Sequence, residues 1–182
     1  MYNALRIAKT ERDVDYDILI CACLLHDIGR KDQFENPNIC HAMVGSEKAY
    51  SFLVSNGFES EYAEKVKKCI RTHRYRKNNL PESLEAKILF DADKLDATGT
   101  MGIARTLIYK GTVSNGENDT TPSFFQEYKY KLEKVYSNFY TEEAKMIARE
   151  RQDSAIAFYD SLYGEVKASY ENGVDELGRL LE

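Results

Sequence analysis

Apolar residues recur at intervals of about 3.6 along almost the whole chain, which leaves room for little except helix. No stretch alternates apolar and polar residues as a half-buried strand does, and no segment repeats another. Three prolines and ten glycines among 182 residues leave the periodic runs largely uninterrupted. The pattern predicts an all-α protein. Its length suits a single compact multi-helix bundle over residues 1–182.

Individual helices follow from the breaks in that period. Tyr2 to Ala8 reads as helix already in progress, and Asp15 precedes a run, YDILICACLLHDIG, that is apolar on most sides and so belongs in a core. Gly29 is placed to end it. Arg30 to Ile39 reads as a polar connection, with Asn36-Pro37-Asn38 as its turn. Helices are expected over about 40–56, 59–73 and 83–97, the first two divided by Asn56-Gly57, and a short apolar segment over 101–109. A loop over about 110–121, a helix over about 122–138 and a long helix over about 141–171 close the chain, the last begun by Thr141-Glu142-Glu143. The core that could hold a site spans about residues 2–109.

Charge and composition exclude several classes. Twenty-five basic residues against thirty acidic ones give a net charge of −5, with no basic block, so a nucleic-acid polymer is not an expected partner. No apolar run reaches the roughly 18–20 residues of a membrane span, and the first residues do not resemble a secretory signal. Cys21, Cys23, Cys40 and Cys69 form no CxxC pair, so reduced thiols in a cytoplasmic protein are expected and a structural zinc site is not.

The chemistry concentrates at helix ends. His26-Asp27 follows Leu24-Leu25, where an ionisable pair is costly unless something binds it, although a His capping a helix end beside an Asp is the commoner arrangement. Asp91, Asp93 and Asp96 lie at the end of another apolar run, where carboxylates oppose the helix dipole and invite a cation, either Lys94 or a metal. Asp93 is the best ligand among them. His41 opens one helix, as a cap or as a ligand, and His73 ends another just before Arg74, Arg76 and Lys77. That basic cluster is either a solvated turn or the charge-neutralising half of a phosphate site. Thirteen Tyr and eight Phe, among them Phe124, Phe125, Tyr128, Tyr130, Tyr136, Phe139 and Tyr140, could stack on a base or simply fill the core.

LLHDIGR, followed about 65 residues later by FDADKLDATGTMGIAR, resembles the HD superfamily of metal-dependent phosphohydrolases, most nearly its small stand-alone bacterial members. The likeness covers about residues 2–160. It implies an all-helical HD-like bundle with His26, Asp27 and Asp93 as metal ligands. It also implies that His41, in CHAMVGSEKA, and His73 complete a second ion's shell. The family's upstream His on the first helix has no counterpart among the 25 residues before His26, so an N-terminal piece bearing it is expected to precede Met1.

The function so implied is hydrolysis of a phosphoester or phosphoanhydride in a small phosphorylated, nucleotide-like molecule, with one or two divalent ions. Mixed imidazole and carboxylate ligation suits Mn, Fe, Co, Ni or Zn better than Mg. Asp27, Lys94 and Arg30 are the candidate catalytic residues, and Arg74, Arg76 and Arg105 the candidates for binding phosphate. A catalytically impaired helical module with a binding or regulatory role is the alternative. A homodimer through an exposed first-helix edge is a further expectation.

Overall fold

The computed structural model of the chain describes residues 1–74, 76, 78–113, 126, 128–129 and 138–181. They are helical with no strand, in two units of contact: Met1–Leu95 with Phe139–Lys145, and 96–138 with 146–182.

The first unit holds α1 (Tyr2–Ala8), α2 (Tyr16–Leu25), α3 (Arg30–Glu35), α4 (His41–Ser55), α5 (Ser60–Thr72) and α6 (Leu84–Leu95). Asp15 starts α2: its side chain accepts from the Ile18 amide at 3.1 Å, satisfying a donor that the helix itself cannot. Gly57, at φ +85°, stops α4. There the amides of Phe58 and Gly57 return to the carbonyls of Leu53 and Val54, the closing pattern that needs a left-handed residue. α5 buries Ala63, Val66, Cys69 and Ile70 along one face and packs against α4, α2 and α6. α6 buries Ile88, Leu89, Phe90 and Leu95. Asp91 is wholly buried on α6, and its carboxylate accepts from the amides of Tyr140 and Thr141 and from the Thr141 hydroxyl, the last two at 2.7 Å.

The second unit holds α7 (Gly99–Val113) and all but the first four residues of α8 (Glu142–Leu181). Ile103, Tyr128 and Ala155 form its buried cluster, with Tyr159 and Leu162 packed against it and the Tyr128 hydroxyl donating to the Gly99 carbonyl at 3.1 Å.

Four sequence expectations change. The polar connection after Gly29 contains a short helix, α3, because the turn ending at Gly29 sets Arg30 directly into helical backbone. The apolar segment expected over 101–109 is part of the longer α7, and the closing helix runs ten residues beyond 171, to Leu181. Of the loop expected over about 110–121, residues 110–113 belong to α7 and the rest lies outside the described residues. Residues 126, 128 and 129 of the helix expected over 122–138 are helical, but most of that helix, with Phe124, Phe125, Tyr130 and Tyr136, lies outside the described residues. Among the described residues no helix is long and apolar enough to cross a membrane, and the four cysteines are free thiols.

Candidate metal centre

α2 delivers the first pair of side chains. Being apolar around most of its circumference, it buries Ile18, Leu19, Ala22 and Cys23, and the His26-Asp27 pair follows at its C-terminal end. His26 caps that end and donates through Nδ1 to the Cys23 carbonyl at 2.8 Å. Asp27 follows in the turn.

That turn lies against α4 because two residues have no side chain. A Cβ on Gly29 would stand 2.4 Å from the His41 carbonyl oxygen and 2.6 Å from the Gly45 nitrogen, closer than any real contact. With hydrogens there instead, the first turn of α4 closes on the α2–α3 turn. The buried His41 then places Nε2 3.5 Å from Asp27 Oδ1.

His73 enters from the end of α5, donating through Nδ1 to the Ile70 carbonyl at 2.6 Å. Its Nε2 lies 3.9 Å from Asp27 Oδ1 and 3.2 Å from His41 Nε2. His26 Nε2 lies 3.7 Å from Asp27 Oδ2 and 3.9 Å from Oδ1 of Asp93, which α6 supplies. Thus α2, α4, α5 and α6 each contribute, all within the first unit. A cavity of about 560 Å³ on another side of α5, bordered by Asp15, Lys68, Arg71 and Glu85, contains none of these five residues.

The hydrogen bonds decide two of the tautomers. Carbonyl oxygens only accept, so Nδ1 of His26 and of His73 carries a proton, and in the neutral ring Nε2 is the atom that can bind a cation. His41 Nδ1 lies 2.6 Å from the Gln33 side-chain amide and 3.2 Å from Arg30 Nη1, which only donates. The Nε2 atoms of His41 and His73 face each other across 3.2 Å beside the Asp27 carboxylate. An imidazole fixed through its other nitrogen is how metal-binding histidines are oriented. One ligand atom each from Asp27, His41 and His73 lies within 4.8 Å of the others, a spacing that fits one ion.

Protonation points the same way. Burial, then the nearby Arg30 guanidinium and His73, press His41 down to about 3. Burial likewise lowers His73 against the pull of Asp93. Burial raises the Asp27 carboxyl, but Arg30, with His26 and His41, outweighs it and holds the group below its ordinary range. Neutral imidazoles beside ionised carboxylate are the forms that ligate divalent ions.

Arg30 grips Asp27 through Nη2, at 2.8 and 3.1 Å. Lys94 lies with its ammonium 4.3 Å from the centre of the Phe90 ring; burial lowers it to about 8, while Asp91 and Asp93 hold it up. Arg74 is half-buried and Arg76 exposed. The Cys40 thiol, raised by its burial, is brought below its ordinary value by the Met43 and Ala42 amides and then by these two guanidiniums. Arg105 belongs to the second unit, where it pairs with Asp96 at 3.1 Å. Lys77 lies outside the described residues. Asp91 faces the residues before α8 and serves structure, not the cluster. Sequence reasoning passed over Gln33 and the packing role of Gly29. A helical reading of Arg30–Glu35 would have placed Gln33 one turn from Arg30, on the same face.

The family model for the HD domain matches residues 1–98. YpgQ of Bacillus subtilis, an uncharacterized protein, is 28% identical over 156 residues, covering 84% of this chain and 74% of its own. A crystal structure of YpgQ in complex with ADP superposes with a TM-score of 0.56 at 22% identity, covering 90% of this chain and 97% of that one. A predicted HD superfamily hydrolase from an uncultured Thermotogales bacterium is 33% identical, with a TM-score of 0.62 and coverage of 90% and 75%. A Lactobacillus plantarum protein reaches a TM-score of 0.72 at 26% identity, covering 92% and 84%.

Proposed function

This chain belongs to the HD-domain family, and from that premise we propose that it is a metal-dependent phosphohydrolase acting on a phosphoester or phosphoanhydride of a small nucleotide-like molecule. One observation carries the reading: three imidazoles, two of them tied through Nδ1 to backbone carbonyls, bring their Nε2 atoms to 3.5–3.9 Å from the carboxylates of Asp27 and Asp93. A divalent ion held there supplies Lewis acidity toward a P–O bond and acidifies water.

His26, Asp27 and Asp93 hold one ion, and His41 and His73 complete the shell or serve a second. Arg30 fixes the Asp27 carboxylate in place, so its charge is spent on orientation before any substrate arrives. Lys94 and the guanidiniums of Arg74 and Arg76 neutralise phosphate oxygens, and Arg105 is a further phosphate-binding candidate. The nucleotide-like part of the proposal is supported by these cations and by the ADP held in the structure of the relative YpgQ.

The test is purification with Mn, Co, Ni, Zn or Mg, elemental analysis, and assay of phosphate release from generic phosphoesters and nucleotides. A stoichiometric metal with activity that Asp27→Ala abolishes supports the proposal. Unchanged activity in Asp27→Ala ends it. A folded protein that takes up no metal favours instead a helical module with a binding or regulatory role.

A further inference from the structure

The cavity of about 560 Å³ beside α5 lies wholly within the first unit and takes no part in the metal centre. Its lining carries two banks of opposite charge. α5 supplies Lys65, Lys68 and Arg71, which recur every three residues along one face. The start of α2 brings Asp15, and the start of α6 with the residues before it brings Glu82 and Glu85. Ile18, Leu80 and Ala86 add apolar surface.

The two banks do not neutralise each other. Among the described residues no cation of one lies within 4.0 Å of a carboxylate of the other. Lys65 turns instead to Glu61 at 2.9 Å, and Arg71 to Glu47 at 3.8 Å. Lys68 pairs with no acid among the described residues. On the acidic side Asp15 is committed to capping α2 through the Ile18 amide. Glu85 is only 9% exposed, and its Oε1 accepts from the Asp15 amide at 3.0 Å. Its Oε2 accepts from no described residue, yet it is not sealed away from solvent. A carboxylate buried this far, with one oxygen open to a cavity, calls for a donor, and a charged donor serves best.

A purely anionic ligand would meet three carboxylates here, and a purely cationic one three cations. A molecule bearing both charges is attracted to both banks. We infer that the cavity binds a small zwitterion, an amino acid or short peptide, with its ammonium at Glu85 and its carboxylate at Lys68 and Arg71. The apolar body between them lies on Ile18, Leu80 and Ala86. The volume falls within the range of about 300–1,000 Å³ that small-molecule pockets occupy.

Amide NMR shifts of the full chain, titrated with L-leucine, L-leucyl-L-leucine and 6-aminohexanoate, test this. The three probes carry the same two charges at increasing separation, so the tightest of them tells amino acid from peptide. At least one should shift amides of α5 and α6 with a dissociation constant below about 1 mM. Hexanoate and hexylamine, each lacking one charge, should bind at least about tenfold more weakly. Glu85→Gln, which can still accept from the Asp15 amide, should weaken the best probe about tenfold, and Lys68→Met, at an exposed position, about threefold. Asp27→Ala should bind as the wild type does, since chelation of a metal ion by the probe would be lost in that variant. No shift in α5 or α6 up to about 10 mM of any probe overturns the inference. So does hexanoate or hexylamine binding as tightly as the zwitterions, Glu85→Gln binding unchanged, or Asp27→Ala losing the interaction. Should Glu85→Gln fail to fold, Lys68→Met and the singly charged analogues decide.

Discussion

Helices in the first unit stop where its chemistry lies: α2 at His26, α5 at His73, while α4 starts at His41. In the second unit α8 runs on through forty residues counted from Glu142, and its exposed residues repeat along a face instead of gathering at an end. The difference teaches how one backbone form serves two purposes. A helix end presents unpaired carbonyls, and these fix imidazole tautomers at two of the three histidines. A helix flank presents only side chains at fixed intervals, which suits it to extended contact.

Variants can separate the two regions. The largest effect is expected from Asp27→Ala, which should lower metal affinity and phosphate release well beyond the about 10–100-fold seen when only an outer partner is lost. Helical content should stay intact, and Tyr170→Arg in α8 should leave bound metal, read by elemental analysis, untouched. Loss of metal in both variants would erase the division between ends and flank.

Gly29→Ala comes next. Its Cβ would meet backbone atoms of His41 and Gly45, which cannot swing aside as a side chain can. A loss of about 2–4 kcal/mol in urea unfolding is expected, with weaker metal binding because His41 moves. Wild-type stability in this variant would show that the contact between the two turns is not what sets His41.

Gln33→Leu removes the amide that holds His41 Nδ1 at 2.6 Å and should weaken the metal about 10–100-fold by competitive chelator titration. Asp91→Asn should cost about 1–3 kcal/mol of stability, since an amide cannot accept from both the Tyr140 and Thr141 amides and the hydroxyl as the carboxylate does. Its metal stoichiometry should equal the wild type's, whereas Asp93→Asn should reduce it.

The last expectation concerns pH. His41 is depressed to about 3 in the fold against about 6.5 in an unfolded chain, so its contribution is complete above pH 6.5 and lost as pH falls toward 3. His73 shifts in the same direction. Metal-free protein should therefore melt at progressively lower temperature from pH 6.5 to pH 4, with His41 contributing a loss of up to about 1.4 kcal/mol of stability per pH unit and His73 adding to it in the same direction. A flat melting profile across that window would contradict neutral imidazoles in the fold.

Much of this was legible from residues alone because it is local. The Asn56-Gly57 stop is a property of glycine's left-handed backbone, and the start of α2 is a property of Asp15. His26, Asp27, His41, His73 and Asp93 were conspicuous as ionisable groups at the ends of apolar runs. What stayed hidden depends on partners distant in the chain. Nothing near Asp91 distinguishes it from Asp93, yet one carboxylate holds amides fifty residues away while the other faces His26. Gly29 resembled a helix stop, but its φ of −90° suits any residue; its reason is the backbone of α4.

The Asp91 contacts also govern the order in which this chain can finish folding. The first unit is discontinuous, made of residues 1–95 and 139–145. Until Tyr140 and Thr141 exist, α6 holds a carboxyl inside apolar packing with none of these donors, and burial alone raises its pKa. On a chain emerging from the ribosome, α6 is therefore complete well before the partners of Asp91 are made. The bundle that bears the candidate site is closed only when a segment synthesised much later returns to it.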